Sequence, residues 1–384
     1  MKHIPFHKAY IGKEEIKVVV DVLKSGWHTM GPKTVEFEER FKAYTGARFA
    51  IAVNSCTAAL HLALEAIGLK EGDEVIVPAI TFTASAEVVC YFKAKPVFVD
   101  VERDTMNMDT ARIEALITKK TRAIITVDFA GQPVDYTAVC RIAKKHKLLV
   151  IEDAAHTLPS SYKGRNVGTL ADITCFSFYA TKTLNTGEGG MITTDNEEWA
   201  SRMKTMRLHG MNKDAWKRYS KEGSWFYEVV APGFKYNTTD INAALGLVQL
   251  DRLAWTGGKR KAVAAYYDKA FKAVPEIDTL VVRPDRETSW HLYVIKLAVE
   301  SLTIDRSRFI TELAERGISA SVHFIPLYRH PFYRDRFKPR GKDFHNSEWL
   351  YERILSLPIY PGLTQQQLRH ITKTVKDIIA GNRK

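Results

Sequence analysis

Residues 148–156 of this chain read LLVIEDAAH, four apolar residues followed by two carboxylic acids, Glu152 and Asp153. A short apolar run of this kind is typical of a buried central β-strand. Carboxylates at the end of such a strand are costly to bury without a partner. Two interpretations remain open here: a carboxylate that holds a cationic ring nitrogen, a metal or a ribose, and an aspartate that caps the following helix.

Short β-rich segments alternate with helical patterns on both sides of this stretch. We predict strands at residues 50–53, 74–77, 96–100, 123–127, 148–151, 174–178 and 191–194, and helices at 58–67, 84–92, 110–117 and 136–146. This order favours an α/β fold with a sheet covered by helices on both faces. Ligand-binding residues should then lie beyond the strand ends.

The pattern changes after about residue 237. A long helix is predicted over residues 239–274, with a possible break at Gly257 and Gly258, and is followed by a strand, a helix, a strand and a last helix at 292–297, 305–316, 319–324 and 364–379. A further helix is predicted at 12–25, near the N-terminus. We therefore expect an N-terminal arm and large domain over residues 1–245, and a smaller α+β domain over residues 246–384.

Composition narrows the class of protein. The 384 residues include 56 Lys and Arg against 44 Asp and Glu, a net charge of +12, but they lack a basic block or an aromatic-rich RNA motif, which argues against nucleic acid as a partner. No segment approaches the roughly 20 apolar residues of a membrane span, and residues 1–6 lack the apolar core of a secretion signal. The four cysteines are far apart and form no pair with the spacing of a metal site, so we expect free thiols and no metal. Free thiols are typical of a reducing compartment, so we expect a cytoplasmic protein. The missing apolar span argues against a membrane partner.

Two more polar segments follow predicted strands. Residues 54–60, NSCTAAL, place small polar residues at a helix start. The free backbone N–H groups there either donate to the side chain of an N-cap residue or bind a phosphate. Residues 176–190, FSFYATKTLNTGEGG, place Lys182 between an aromatic strand and a glycine-rich turn. Burial disfavours the charged form of a lysine and releases a nucleophilic amine, as a Schiff-base lysine requires, although a lone lysine in a loop is usually only solvated.

The order of these three segments predicts a cofactor. A phosphate cradle, a carboxylate and a lysine, each at a strand end of one α/β domain, are what pyridoxal phosphate (PLP) needs. The carboxylate keeps the pyridine nitrogen protonated, so that the ring accepts electrons, and the lysine binds the cofactor covalently and moves a proton.

At these residues the chain resembles the DegT/StrS family of sugar aminotransferases, which are PLP-dependent transferases of fold type I. The resemblance covers nearly the whole chain, and its most specific segments are 25–27, 152–156, 177–182, 187–190, 233–246 and 357–358. It implies a large domain with a mostly parallel seven-stranded sheet, a smaller C-terminal α+β domain, a homodimer with shared active sites and a role in polysaccharide biosynthesis. Within the family the chain looks closest to 4-aminotransferases that use glutamate and UDP-linked 4-keto sugars, of the aminoarabinose or pseudaminic acid precursor type.

The resemblance also implies roles for particular residues. Three are catalytic: Lys182 forms the Schiff base, Asp153 pairs with the pyridine nitrogen, and His156 lies beside the ring near its phenolic oxygen. The remaining cofactor-binding residues are Ser55, Cys56, Thr57, Ala58, Phe82, Ser177, Lys235 and Asn237.

Some of these assignments carry alternatives. Phe82 matches an aromatic residue that stacks on the ring, but a phenylalanine after a strand is often simply core. Cys56 stands where many relatives have glycine. Lys235 stands where most relatives have an asparagine that reaches the cofactor phosphate of the neighbouring subunit, and Asn237 is the other candidate for that contact.

The substrate residues implied by the resemblance are Thr29, Met30, His209, His323 and Tyr328. For His209 and His323 the alternative is a half-buried histidine whose hydrogen bonds are satisfied by the backbone. The basic stretch 329–340 faces either a diphosphate or solvent, and its charge favours solvent. Two other functions remain open. One is a regulatory or binding protein on an inactive aminotransferase scaffold; the other is a PLP-dependent sugar dehydratase, in which histidine replaces the lysine at position 182.

Overall fold

The computed structural model of the chain describes residues 3–212, 226–339 and 341–384. Its strands are β1 (Phe49–Val53), β2 (Glu74–Pro78), β3 (Lys95–Val99), β4 (Thr121–Val127), β5 (Leu149–Asp153), β6 (Ser161–Tyr162), β7 (Arg165–Asn166), β8 (Ile173–Ser177), β9 (Gly190–Thr194), β10 (Ile277–Thr279), β11 (Arg286–Glu287), β12 (Tyr293–Leu297) and β13 (Ile354–Leu357). Its α-helices are α1 (Lys13–Ser25), α2 (Pro32–Thr45), α3 (Cys56–Ala66), α4 (Ala84–Tyr91), α5 (Tyr136–His146), α6 (Glu197–Met206), α7 (Asp240–Asp251), α8 (Leu253–Phe271), α9 (Arg306–Glu315), α10 (Pro331–Phe337), α11 (His345–Arg353) and α12 (Gln365–Gly381).

The main sheet has seven strands in the order β1-β9-β8-β5-β4-β2-β3. Parallel pairing joins β3, β2, β4, β5 and β8, and β9 runs antiparallel between β8 and β1. The predicted mostly parallel sheet of an α/β fold is therefore confirmed. The carboxyl ends of β4, β5 and β8 lie side by side, which brings the polar residues that follow them together.

Helices cover both faces of this sheet because its strands are apolar on both sides. Two consecutive residues of β8 point to opposite faces: the Phe176 ring packs edge-on against Phe41 of α2 at 5.0 Å, while Cys175 joins the core beneath α3. On the α2 face, α7 packs against both α1 and α2. This two-sided burial fixes the sheet edge from which the site residues project.

A smaller sheet, in the order β10-β12-β13, forms the centre of the C-terminal part. Helices α8, α9 and α12 enclose a second core around Tyr267, Phe309 and Ile371, all fully buried. The N-terminal segment joins this part, since the Ile4 amide donates to the Gly317 carbonyl at 2.8 Å. The predicted domain boundary at 245/246 falls within α7 and stays a prediction.

Three predicted elements differ from the structure. The helix over 110–117 is two short 3-10 turns, Thr110–Arg112 and Glu114–Leu116. The long helix is interrupted at Arg252, not at the glycines, and α8 continues through Gly257 and Gly258. A Cβ at position 257 would approach the Pro159 ring to 2.7 Å. Glycine at that position therefore permits close packing and does not end the helix.

The predicted strand at 319–324 is also wrong. Its backbone forms a single bridge, between Ser321 and Ser356, and the preceding Ser319 amide is already bonded to the Ile4 carbonyl at 3.0 Å. Side chains from this segment are instead directed to the cavity described below.

Within the described ranges, none of the helices is both long and apolar enough to cross a bilayer. The four cysteines are all free, with Cys175 buried and Cys56, Cys90 and Cys140 partly buried. This agrees with the free thiols expected from their spacing.

Candidate active site

A cavity of about 500 Å³ lies at the carboxyl ends of β4, β5 and β8 and at the start of α3. The N-terminal segment and side chains from the C-terminal part complete its wall. The predicted site residues that line it are Ser55, Cys56, Thr57, Phe82, Asp153, His156, Ser177, Lys182 and His323. The three polar segments singled out in the sequence therefore meet in one place.

Asp153 is the last residue of β5, and its carboxyl group is buried. The Ser85 hydroxyl donates to Oδ2 at 2.7 Å, and the Ala155 amide donates to Oδ1 at 3.2 Å. Burial raises the pKa of Asp153, while these two bonds and the nearby Lys182 ammonium oppose the rise. A cationic group bound next to this carboxyl would stabilise its ionised form further.

Lys182 lies in the turn that leaves β8, and its amide donates to the Tyr179 carbonyl at 2.8 Å. Burial lowers the pKa of its ammonium group to about 8, against the opposing effect of Cys56 and Asp153. The neutral, nucleophilic amine is therefore accessible much nearer to neutral pH than in a solvated lysine.

Cys56, at the start of α3, contacts Asp153 as well as the helix. Its Sγ lies 3.8 Å from Asp153 Oδ1 and 3.5 Å from the Cys175 carbonyl. Burial, followed by the charge of Asp153, raises the pKa of this thiol well above its usual range. The group thus stays a neutral thiol and acts as a weak donor towards the carboxylate.

The start of α3 offers a place for an anion. The first amides of a helix have no intrahelical partners, and Thr57 and Ser177 place hydroxyl groups beside them on the cavity wall. The Ala58 amide donates to the Ser55 hydroxyl at 3.1 Å, so this predicted contact serves as an N-cap, and Ala58 itself is buried. Gly190 of β9 passes so close that a Cβ would lie 2.6 Å from the Ser55 carbonyl, which explains the glycine.

Aromatic and histidine side chains form the opposite wall. Phe82 is 58% exposed and lines the cavity, which disagrees with the alternative that it belongs to the core. The His156 ring lies 6.2 Å from the Phe324 ring in a stacked arrangement, and burial lowers the pKa of His156 well below its usual range. Burial likewise lowers the pKa of His323 to about 4, and its Nδ1 lies 2.9 Å from the Ser356 hydroxyl.

Two further histidines on the wall were missed in the sequence. His291 precedes β12, with its ring 4.3 Å from that of His156, and His7 belongs to the N-terminal segment. Burial lowers the pKa of His291 well below its usual range and that of His7 to about 4. Nδ1 of His156, Nδ1 of His291 and Nε2 of His7 have no hydrogen-bond partner among the described residues. These neutral rings can therefore donate to or accept from a molecule in the cavity.

No local signal distinguishes His7 or His291. Each is a single histidine beside apolar residues, a pattern more typical of a satisfied core residue. Their position depends on long-range folding: Phe6 stacks on His323 at 5.3 Å between ring centroids, which brings the N-terminal segment to the cavity.

The residues present fit PLP. A helix N-terminus with hydroxyl groups suits its phosphate, an exposed aromatic ring suits its pyridine face, and the Asp153 carboxyl lies among neutral histidines and a single amine. The unpartnered Nδ1 of His156 offers a hydrogen bond to a polar ring substituent.

A second group of predicted residues does not line this cavity. Lys235 and Asn237 bond to each other, with the Lys235 ammonium 2.6 Å from Asn237 Oδ1. Met30 is buried against Leu208 and Met211, and Thr29 accepts from the Asp240 amide at 3.1 Å. The exposed His209 is next to this contact, and Leu208 forms a β-bridge with Lys235.

Tyr328 and the basic stretch also lie apart from the cavity. Tyr328 is buried in the core and stacks on Phe344 at 4.3 Å. Arg334 pairs with Asp335 at 2.8 Å at the surface, in agreement with the solvent interpretation. Arg340, at the end of the stretch, lies outside the described residues.

Comparisons with known proteins agree with this site. The DegT/DnrJ/EryC1/StrS aminotransferase family model matches residues 9–376. The spore coat polysaccharide biosynthesis protein SpsC of Bacillus subtilis (strain 168) is 46% identical, covering 98% of this chain and 97% of its own.

Two solved structures extend the comparison. The putative sugar aminotransferase Spr1654 from Streptococcus pneumoniae, in its PMP-form, has a TM-score of 0.93 and 37% identity and covers 98% of this chain and 99% of its own; its PLP-form is similar to the same degree. PseC of Helicobacter pylori, an aminotransferase involved in the biosynthesis of pseudoaminic acid, has a TM-score of 0.92 and 31% identity over 99% of this chain and 100% of its own.

Proposed function

The chain belongs to the DegT/DnrJ/EryC1/StrS aminotransferase family and uses pyridoxal phosphate, and we propose that it transfers an amino group from glutamate to C4 of a UDP-linked 4-keto deoxysugar. The observation that carries the proposal is the single cavity in which the Lys182 amine, the Asp153 carboxyl and the start of α3 meet. The likeness to PseC supports a sugar of the pseudaminic acid type.

The cofactor, when bound, supplies an electron sink for the carbon that gains or loses the amino group. In this proposal Asp153 holds the proton of the pyridine nitrogen through Oδ1 or Oδ2. Ser85 orients the carboxyl through its 2.7 Å bond. The unpartnered Nδ1 of His156 would donate a hydrogen bond to a polar substituent of the ring. Phe82, on the cavity wall, would cover one face of the ring.

Lys182 is the group that moves protons. Its Nζ, with a pKa lowered to about 8 by burial, would take a proton from Cα of glutamate and pass it to the cofactor, and in the second half-reaction would carry a proton from the cofactor to C4 of the sugar. The hydroxyls of Thr57 and Ser177 and the first amides of α3 hold the phosphate, while Ser55 keeps the helix start in place. Large and small domains on either side of the cavity, divided near residue 245, complete the proposed organisation.

The nature of the sugar nucleotide is tested by a panel. The purified protein is incubated with glutamate and UDP-, GDP- or dTDP-linked 4-keto and 3-keto sugars, and the amino product is read by mass spectrometry. We expect the amino product from UDP-linked 4-keto sugars, with 2-oxoglutarate formed in equal amount. Amination of dTDP- or GDP-linked sugars alone, or of 3-keto sugars alone, would contradict the substrate assignment and leave the aminotransferase itself intact.

We also propose a homodimer in which each cavity is completed by the neighbouring chain. Lys235, Asn237, Thr29, Met30 and His209 form one group of residues that do not line the cavity of their own chain. Val229 and Val230 are exposed and pair with Met211 and Gly210, beside His209, which favours a second copy as the partner. Helix α1 adds further exposed apolar side chains: Ile16, Val20 and Leu23.

Complementation between inactive subunits tests this arrangement. We expect Lys182→Ala homodimers and Lys235→Ala homodimers each to be impaired, and mixed dimers to regain activity. One of the two sites in a mixed dimer receives both native lysines, whereas the other receives neither. Differently tagged subunits are co-expressed, mixed dimers are isolated, and their turnover is compared with that of each homodimer.

The same experiment with Asn237→Ala shows which of the two side chains crosses the interface. Absence of rescue in both mixtures, from subunits that do associate, would show that each site is built from one chain.

A further inference from the structure

Two buried carboxyl groups, Asp128 and Glu152, lie next to Asp153 but outside the cavity. Asp128 directly follows β4, and Glu152 precedes Asp153 on β5; both side chains are completely inaccessible to solvent. The Asp128 amide donates to the Asp153 carbonyl at 3.4 Å, which ties the two strand ends together. Since successive side chains of a strand point to opposite faces, Glu152 lies on the face opposite to Asp153.

Each carboxyl group has one oxygen that is bonded and one that is not. Asp128 Oδ1 accepts from the Val134 amide at 2.9 Å and from the Tyr136 hydroxyl at 3.1 Å. Glu152 Oε2 accepts from the Thr174 hydroxyl at 2.8 Å. Asp128 Oδ2 and Glu152 Oε1 have no donor among the described residues. The two residues lie at the paired ends of β4 and β5, and the charge of Glu152 adds to burial in raising the pKa of Asp128. Burying a carboxylate oxygen without a hydrogen-bond donor costs free energy. Two such carboxylates on neighbouring strand ends also repel each other, which adds to the cost.

We infer that Asp128 and Glu152 share one proton, held between Oδ2 and Oε1, so that the pair carries a single negative charge behind Asp153. One proton between these atoms satisfies both unbonded oxygens at once and removes the repulsion between two buried charges. Such a pair titrates as a unit, so the proton belongs to neither residue alone.

The groups packed around the pair agree with this arrangement. Burial raises the pKa of Asp128 and that of Glu152, as expected for carboxyl groups that retain a proton. Burial also raises the pKa of Tyr136 and of Cys175 well above their usual ranges, so both stay neutral.

The shared proton matters for the cavity because the charge of the pair acts on Asp153 and Lys182. This consequence rests on the proposed function, in which Asp153 must remain ionised. With an effective dielectric constant of about 20, one unit charge at about 10 Å changes a pKa by about one unit. A doubly ionised pair would therefore oppose ionisation of Asp153, and the shared proton removes half of that effect. Asp128 and Glu152 are thus positioning residues that set the charge of the site.

Infrared spectroscopy tests the proton directly, whatever the enzyme does. Wild type near neutral pH should show the carbonyl stretch of a protonated carboxyl above the amide I band, and the difference spectrum against Glu152→Gln or Asp128→Asn should show that band lost in each variant. An amide in either position supplies an N–H in place of the proton. Glu71→Gln, at an exposed position, serves as the matched control and should leave the band unchanged. Absence of the band in wild type, or its persistence in both single variants, would overturn the inference.

The charge of the pair is read from the holoenzyme by the pH titration of its visible cofactor absorption. Wild type and both single variants should titrate at the same midpoint, because each pair keeps one charge. The double variant, Asp128→Asn with Glu152→Gln, should titrate about one unit lower, since removing a nearby negative charge destabilises the cationic form. If the midpoint fell by equal steps from wild type to the single variants and from these to the double variant, the wild-type pair would carry two charges. If the midpoint of the double variant equalled that of wild type, the wild-type pair would carry no charge. Either result refutes a shared proton. A protein without a titrating band would contradict the proposed function but leave the infrared result standing.

Discussion

Replacing Lys182 with alanine is expected to abolish turnover, by at least roughly 10⁴-fold, because the variant has no group at this position to carry the proton. Lys182 is the cavity-lining amine, and burial has already lowered its pKa to about 8. The visible absorption band of the covalently held cofactor should disappear with it. The assay follows formation of the amino sugar from glutamate, and absorption spectra are recorded on the same preparations.

The matched control is Lys93→Ala, which removes a lysine whose side chain is 71% exposed. This variant should keep the wild-type rate and spectrum. A small primary amine added to Lys182→Ala should restore part of the rate, since it can occupy the emptied space and carry the proton. If Lys182→Ala turned over at the wild-type rate, the proposed role would be wrong.

The strand ends and the residues that follow them could be predicted from the sequence because their signals are local. The seven strands of the main sheet are apolar runs bounded by polar residues, and the structure places them within two residues of the prediction. Once the strands are parallel, their carboxyl ends meet, and Asp153, Ser177 and Lys182 necessarily lie close together. That part of the site follows from periodicity and topology alone.

The histidine wall could not be predicted in the same way. The pairing of Ile4 with residues 317–319 holds the segment of His7 at the cavity, and His291 is held there by its amide bond to the Ala130 carbonyl and its contact with His156. These contacts join parts of the chain that are far apart in sequence, and no periodic pattern encodes them. The wrong helix break has a similar origin, since Gly257 packs on Pro159, a contact that helix propensity does not contain.

Several predicted substrate residues, and two predicted cofactor-binding residues, do not line the cavity of their own chain. Thr29, Met30, His209, Lys235 and Asn237 form a coherent group, but the cavity that they are proposed to serve belongs to another copy. A residue that contacts the cavity of the neighbouring subunit cannot be recognised from the lining of the cavity in its own chain.

Replacing Asp153 with asparagine is expected to remove about 3 to 4 kcal/mol of transition-state stabilisation, roughly 10²- to 10³-fold in kcat/KM. An asparagine can accept the bond from the Ala155 amide through Oδ1 and can donate from Nδ2 to the Ser85 hydroxyl, so the fold of the site should survive. What it loses is the negative charge that holds a proton on the pyridine nitrogen. Ser85→Ala leaves that charge and removes only the 2.7 Å hydrogen bond, so its loss should be smaller, about 1 to 2 kcal/mol.

The ordering of these two variants separates charge from geometry. If Asp153 acted only by shaping the cavity, Asp153→Asn would hardly change kcat/KM. Ser85→Ala, which frees the carboxyl to rotate, would then lower kcat/KM more. If it acts through its charge, the order is reversed, and the absorption of the bound cofactor should also change in Asp153→Asn but not in Ser85→Ala. Steady-state kinetics and spectra of the two holoenzymes, at matched cofactor content, decide between them. Wild-type kinetics in Asp153→Asn would contradict the assignment of this carboxylate to the ring nitrogen, because nothing else on the cavity wall among the described residues offers a buried carboxylate there.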